Sequence, residues 1–322
     1  MHNGSLIKYL KKFNFGKRKK NLKKKWKWLI ILIFIAIILF KNKYHSNEAT
    51  SVPVPVPVPV PVSVIIPCYD SEIYLPNLFS MFKAQTLKNY ELIFIDDGSN
   101  DNTNSLIRNQ KEKDKRIKLI TLEQNTGAGN ARNVGLKFAI GEYVIFLDSD
   151  DIFYPNLLKT SYEIASKYDI DILVFDFECI YNNNISCQYY RNRLFKYPFP
   201  INEVFSPEDI SDYIFTFSRG VPWNKLFKRD FIIRNNLRFL NLKIHNDSFF
   251  VYTAYVMAKR IYMIAEVLLR YRWGNKKSIT STYKNFAKES VQKNLKELKN
   301  FLLDKKLYNM YKKSFQEISI YF

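Results

Sequence analysis

Apolar residues along this chain fall into short runs separated by longer segments of mixed polarity. Val64-Ile65-Ile66 is a run stopped by Pro67, and it reads as a buried strand. Leu75 to Gln85 has helical spacing. Glu91-Leu92-Ile93-Phe94-Ile95 predicts a second strand ending at Asp96-Asp97-Gly98-Ser99. A polar helix is expected over Thr103–Lys113, a third strand over Ile117–Leu122, a helix over Ala128–Ala139 and a fourth strand over Tyr143–Leu147. The fourth strand runs into Asp148-Ser149-Asp150-Asp151. Apolar strands alternating with helices predict an α/β fold, with a mostly parallel sheet covered by helices on both faces. Ligands of such sheets bind beyond the carboxyl ends of the strands, where both acidic clusters fall.

Two segments upstream follow other rules. Trp28 to Phe40 is an unbroken apolar run, WLIILIFIAIILF. As a helix it is about 20 Å long, short of a bilayer core of about 30 Å. Extended over 26–44, with Trp26 and Tyr44 at the interfaces and Lys25, Lys27, Lys41 and Lys43 snorkelling, it predicts a membrane anchor. A secretory signal and a buried helix are the competing readings, and no small-x-small cleavage site follows the run. Val52 to Val62 alternates Val and Pro. Proline at every second position excludes a helix or a central strand and predicts a polyproline II spacer of roughly 30 Å. The expected organisation is a basic tail (1–25), an anchor (26–44), a Pro-Val linker (45–62), two halves of a folded unit (63–155 and 156–280) and an amphipathic helical segment (281–322). In that last segment Phe286, Val291, Leu295, Leu298 and Leu302 form a stripe opposite lysines, read as a lid or a membrane-surface helix, or else as a helix on the core.

Charge alters this picture only at the ends. The 322 residues carry a net charge of +20, which first points to nucleic acid or an anionic membrane. The basic runs lie before the apolar segment and near the C-terminus, and no nucleic-acid-binding module is present, so nucleic acid is excluded as the partner. Three cysteines and three histidines, with no Cys-x-x-Cys, exclude a disulfide framework and a structural zinc site.

Chemistry concentrates at the strand ends. Asp148 and Asp150 at the end of a strand can aim carboxylates at one hard cation, Mn²⁺ or Mg²⁺, bridging diphosphate oxygens. The plain alternative is an acidic turn. Asp96 or Asp97 can accept from a base or bond a ribose, or can close an Asp-Gly turn. Gly127-Ala128-Gly129 followed by Arg132 opens a helix and suits an anion, although the spacing is not the dinucleotide fingerprint. Asp247 precedes a helical run, where by itself it reads as a helix cap.

Together, VSVIIPCYD, YELIFIDDGSNDNT, NTGAGNARNVGLKFAIGEYVIFLDSDD, VPWNKLFKRDFI and RYRWGNKKSIT resemble the family 2 glycosyltransferases, over roughly residues 63–280. The resemblance implies a GT-A fold, a Rossmann-like sheet with flanking helices. It also implies an inverting transfer from a nucleotide-sugar, most simply a UDP-sugar, to a hydroxyl of a cell-surface glycan or a lipid-linked acceptor. By position, Pro67 and Tyr69 would line the nucleoside pocket and Asp96 or Asp97 would hold the base. Arg132 would touch base or phosphate. Asp148 would bind ribose and diphosphate, and would hold the metal together with Asp150. Asp247 would be the catalytic base. Trp223, Lys225 and Arg272 would stand near acceptor or diphosphate. The sequence departs from the family at Asn246, where Glu is usual, and at Asp70, where Asn is usual. Asn246 is the one hint of a weakened enzyme kept as a binding partner. A nucleotidyltransferase is disfavoured because Pro67-Cys68-Tyr69-Asp70 stands where a Gly-rich basic loop is needed. The Lys-rich N-terminus favours the cytosol, whereas a cytosolic nucleotide-sugar and unpaired thiols would place the catalytic domain there as well. The expectation is an inner-membrane protein with a cytoplasmic catalytic domain.

Overall fold

The computed structural model describes residues 59–181, 184–187, 199–242, 244–272 and 287–321. The chain divides into Met1–Val58 and Pro59–Phe322, and only the second unit is described. The basic tail, the anchor, most of the linker, Trp273 and Phe286 lie outside the described residues. Among the described residues, no helix is long and apolar enough to cross a membrane.

The strand–helix alternation forms largely where the pattern places it. β1 (Val62–Cys68), β2 (Glu91–Asp96), β3 (Ile117–Thr121) and β4 (Tyr143–Phe146) alternate with α1 (Leu75–Ala84), α2 (Thr103–Lys113) and α3 (Ala128–Phe138). β1 pairs in parallel with both β2 and β4, and β2 pairs in parallel with β3. The chain thus steps outward from β1 to β3, then crosses back to the other side of β1. That reversal is the switch point of an open α/β sheet, and it opens a crevice beyond the ends of β1 and β4.

The second half extends the same sheet. β5 (Ile152–Phe153), α4 (Leu157–Lys167), β6 (Ile172–Tyr181), β7 (Asn184–Cys187) and β8 (Val204–Phe205) follow. Then come β9 (Lys225–Lys228), α5 (Arg229–Arg234), α6 (Ser248–Met257) and β10 (Ile261–Arg272). The strand order is β3-β2-β1-β4-β9-β6-β10-β5, with β7 on β6 and β8 on β10. β9 runs antiparallel to β4 and to β6, so it splices a second parallel pair, β6 and β10, onto the first half. One continuous apolar core underlies both halves.

Two boundaries differ from the sequence reading. The linker does not run to Val62, because that residue begins β1 and the carbonyls of Val60 and Pro61 accept from the amides of Glu142 and Tyr143 at 2.9 and 3.0 Å. Proline lacks a donor but keeps its carbonyl, so the last prolines can flank β4 from one side. The C-terminal segment is two helices, α7 (Ala287–Asp304) and α8 (Tyr308–Tyr321), broken where Lys306 takes φ +59°. Val291, Leu298 and Leu302 of α7 are buried, and α7 packs on α6. Val291, Leu298 and Leu302 of the stripe thus face the fold, as in the reading of a helix on the core.

Candidate active site

The loops after β1 and β2 are tied to each other. The Asp70 amide donates to Ser99 Oγ (3.0 Å), and the Asn100 amide donates back to Asp70 Oδ1 (2.8 Å). The Glu72 amide donates to Asp101 Oδ2 (3.0 Å), and the Asn102 amide to Glu72 Oε2 (3.0 Å). Asp70 itself takes φ +46°, a conformation that Asp adopts more readily than most residues. This leaves Tyr69 45% exposed at the mouth of the crevice, with Pro67 partly buried below it.

Asp96 and Asp97 are buried and already engaged. Asp96 accepts from the Ser99 amide (3.0 Å) and from Asn104 Nδ2 (2.6 Å). Asp97 Oδ1 accepts from the amide and hydroxyl of Thr126 (2.8 and 2.7 Å), and its Oδ2 accepts from the Gly127 amide (2.8 Å). Asp97 therefore holds the Gly-rich loop in place at the start of α3, and any base would meet a carboxylate whose strongest acceptor positions are taken.

The acidic turn after β4 is held from three sides. Ser149 and Ser71 share a hydrogen bond between hydroxyls (3.0 Å), which joins the turn to the β1 loop across the crevice. Asp148 Oδ1 accepts from Arg132 Nη2 at 2.6 Å, an ion pair with Arg132 almost wholly buried and Asp148 partly open. Arg272 donates from Nε to the Asp150 carbonyl (3.1 Å), and its amide approaches Asp151 Oδ1 (3.4 Å). Asp151 is buried, its Oδ2 has no hydrogen-bond partner, and burial together with the charges of Asp150 and Asp148 pushes its carboxyl far above the ordinary carboxylate range. Three carboxylates in four residues, one with an unpaired buried oxygen, fit a hard divalent cation. Among the described residues no three His, Cys, Asp or Glu side chains form a ready-made cage. Asp148 and Asp150 would thus supply part of a coordination shell, with ligand oxygens completing it.

Asp247 stands at the cap position of α6 but makes no capping hydrogen bond with its side chain. The cap reading is therefore not what occupies this carboxylate. Burial raises its pKa, while the nearby Arg132 charge pulls it down. The loop carrying it is anchored by two asparagines. Asn133 of α3 donates to the Phe239 carbonyl and accepts from the Phe239 amide, both at 2.9 Å. Asn294 of α7 donates to the His245 carbonyl (2.6 Å) and accepts from the Phe249 amide (3.2 Å). His245 takes φ +52°, which turns the chain into α6.

Two sequence candidates, Lys225 and Trp223, are buried beside the site. Lys225 is fully buried, and its ammonium donates to the carbonyls of Arg219 (2.9 Å) and Val221 (2.7 Å) and to Asn224 Oδ1 (2.6 Å). Burial depresses its pKa strongly. Trp223 is 3% exposed, edge-on to Phe177 and stacked on Tyr271. Lys225 is the first residue of β9, inside the sheet between β4 and β6, and its charge is favoured by the nearby Asp247 carboxylate. Cys68 and Cys179 are buried, and burial holds the Cys68 thiol well above its usual pKa. Asn294 and Phe239 carried no local signal: they contribute through contacts made by folding, far apart in sequence.

The open α/β sheet with an acidic turn at its switch point is the setting for the comparisons with known proteins. Residues 63–221 match the family model described as glycosyl transferase family 2. The chain is a glycosyltransferase of that family. It is 29% identical over 215 residues to the glycosyltransferase GlyG of Streptococcus pneumoniae serotype 4, covering 65% of this chain and 70% of that protein. It is 40% identical over 123 residues to the Escherichia coli UDP-Glc:alpha-D-GlcNAc-diphosphoundecaprenol beta-1,3-glucosyltransferase WfgD, covering 38% of this chain and 48% of that one. The solved structure of S. aureus TarS 1-349 with UDP-GlcNAc superposes with a TM-score of 0.60 at 24% identity, over 74% of this chain and 67% of that one, which shows a shared fold.

Proposed function

We propose that the chain transfers a sugar from a UDP-sugar to a hydroxyl of a lipid-linked or cell-surface glycan acceptor, inverting the anomeric centre. The observation that carries this is the pairing of an acidic turn at the switch point with Asp247, a carboxylate on a separate loop that no capping bond consumes. WfgD, by its name, uses UDP-Glc and a diphosphoundecaprenol acceptor, which supports the donor and acceptor class.

In this reading Tyr69 and Pro67 receive the nucleoside, and Asp148 and Asp150 hold Mn²⁺ or Mg²⁺. The cation, when bound, offsets the charge that develops on the departing diphosphate. Arg272, beside the Asp150 carbonyl, adds positive charge at the same edge. Asp247 takes the proton from the acceptor hydroxyl as that oxygen attacks the anomeric carbon. A carboxylate raised by burial is a better base near neutral pH than an exposed one. The segment 26–44 anchors the chain to the inner membrane, with the catalytic unit on the cytoplasmic side where nucleotide-sugars are made.

The test is a donor screen of the purified full-length chain with Mn²⁺ or Mg²⁺, reading nucleoside diphosphate release. Release from a UDP-sugar, strengthened by a lipid-linked acceptor, is expected. Absence of binding or turnover with every nucleotide-sugar would overturn the proposal. A reporter fused to the C-terminus checks the topology: activity of a reporter that works only in the periplasm would contradict the cytoplasmic placement.

A further inference from the structure

Arg132 lies between the two parts of the site. Its Nη2 donates to Asp148 Oδ1 (2.6 Å), and its Nη1 donates to Asn246 Oδ1 (3.1 Å). The side chain is almost wholly buried and its guanidinium carbon sits 5.4 Å from the Phe239 ring centroid. Its Nε is buried without a hydrogen-bond partner. Both arms of the fork are therefore committed, one to the acidic turn and the other to the residue immediately before Asp247. Phe239, the ring beneath it, is fixed to α3 by the paired bonds to Asn133. At the start of α3, a Cβ on Gly129 would lie 2.6 Å from the Leu240 carbonyl and 2.9 Å from Asn246 Cβ, so helix and loop are in direct contact.

We infer that Asn246–Arg132–Asp148 is a relay through which occupancy of the acidic turn sets the position of the Asp247 loop, with Asn246 as a positioning residue. The inference rests on the donor reading above. A ligand that claims Asp148 changes the pull on one arm of a buried guanidinium. The guanidinium is almost wholly buried, so loss of one partner is costly; the side chain shifts to keep its bonds, and Asn246 shifts with it. Asn246 is also constrained from its far side, where its Nδ2 approaches the Leu242 carbonyl at 3.4 Å. Coupling of this kind is reciprocal: a loop ordered by acceptor tightens donor binding by the same factor. It would favour donor before acceptor, since the base loop settles only once the turn is filled.

The experiment is hydrogen–deuterium exchange of the full-length chain with and without UDP and Mn²⁺, read over residues 239–247, beside calorimetric titration of UDP with Mn²⁺. Wild-type exchange in that segment should slow severalfold on binding. Asn246→Ala should bind UDP and Mn²⁺ within about twofold of wild type, lose the slowing, and show kcat reduced with donor KM retained. Asn246→Asp, which keeps an acceptor oxygen for Arg132, should restore the slowing and guards against a mere folding defect. Slowing that persists in Asn246→Ala, or is absent in wild type despite binding, would overturn the relay. So would loss of UDP binding in Asn246→Ala, because the residue would then belong to the donor site itself. Failure of the wild-type chain to bind UDP would remove the donor reading and the relay with it.

Discussion

Trp223 lies flat against Tyr271, with ring centroids 5.1 Å apart and planes 8° from parallel. The stack closes one side of the loop that Lys225 pins from within through Arg219, Val221 and Asn224. Lys225→Met should therefore act on stability. It leaves three acceptors without their donor, at about 1–3 kcal/mol, while donor KM stays close to wild type. Thermal unfolding and donor kinetics check this together, and a large rise in donor KM with an unchanged melting temperature would return Lys225 to the diphosphate.

Asp148→Asn should do both. It removes the charge opposite a buried Arg132, and the part-open geometry of the pair sets the loss at about 1–2 kcal/mol, below the value for fully buried pairs. Donor and cation affinity should fall at least tenfold in the same variant, by titration with UDP and Mn²⁺. Unchanged affinity would place the cation elsewhere.

Gly129→Ala tests a close approach. The added methyl would press on the Leu240 carbonyl and Asn246 Cβ, and neither has slack, one being main chain and the other tied to Arg132. Turnover should fall by an order of magnitude or more through displacement of the base loop, with a melting temperature lowered by a few degrees. Wild-type turnover would show that the loop tolerates movement.

The pH dependence follows from Asp247. Burial raises its pKa above the ordinary carboxylate value, with Arg132 opposing. A base must be ionised to work, so kcat/KM should fall as pH drops through that raised value, on an acid limb displaced upward from about 4. Stability carries the opposite sign. The folded chain binds this proton more tightly than the unfolded chain, so Asp247 destabilises the fold above its raised pKa, and the penalty is relieved as pH falls. Rate profiles and unfolding midpoints across pH 4 to 8 check both signs.

The first half of the fold was legible because β1 to β4 are short, mostly apolar runs, two of them ending at Asp96 and Asp148; β1 runs on through Pro67 to Cys68, since the proline needs no donor in its pairing with Ile95. The acidic turn was legible for the same reason: it interrupts a buried strand. Asp247 stands out as a base only through the family resemblance, and the absence of a side-chain capping bond is a matter of geometry. The burial of Lys225 and Trp223 was not legible, because a lysine and an aromatic pair look like ligand-binding chemistry in any sequence. Their burial depends on β9 inserting between β4 and β6, a non-local pairing with no local periodicity. The same holds for Arg132, whose partners Asp148 and Asn246 lie 16 and 114 residues away.

The most direct measurement compares Asp247→Asn with wild type in single-turnover transfer and in UDP-sugar titration on the same preparation. The account predicts a loss of transfer rate of about 10³-fold with donor affinity within about twofold. Transfer near the wild-type rate, or donor affinity lost along with it, would contradict the assignment of Asp247 as the base.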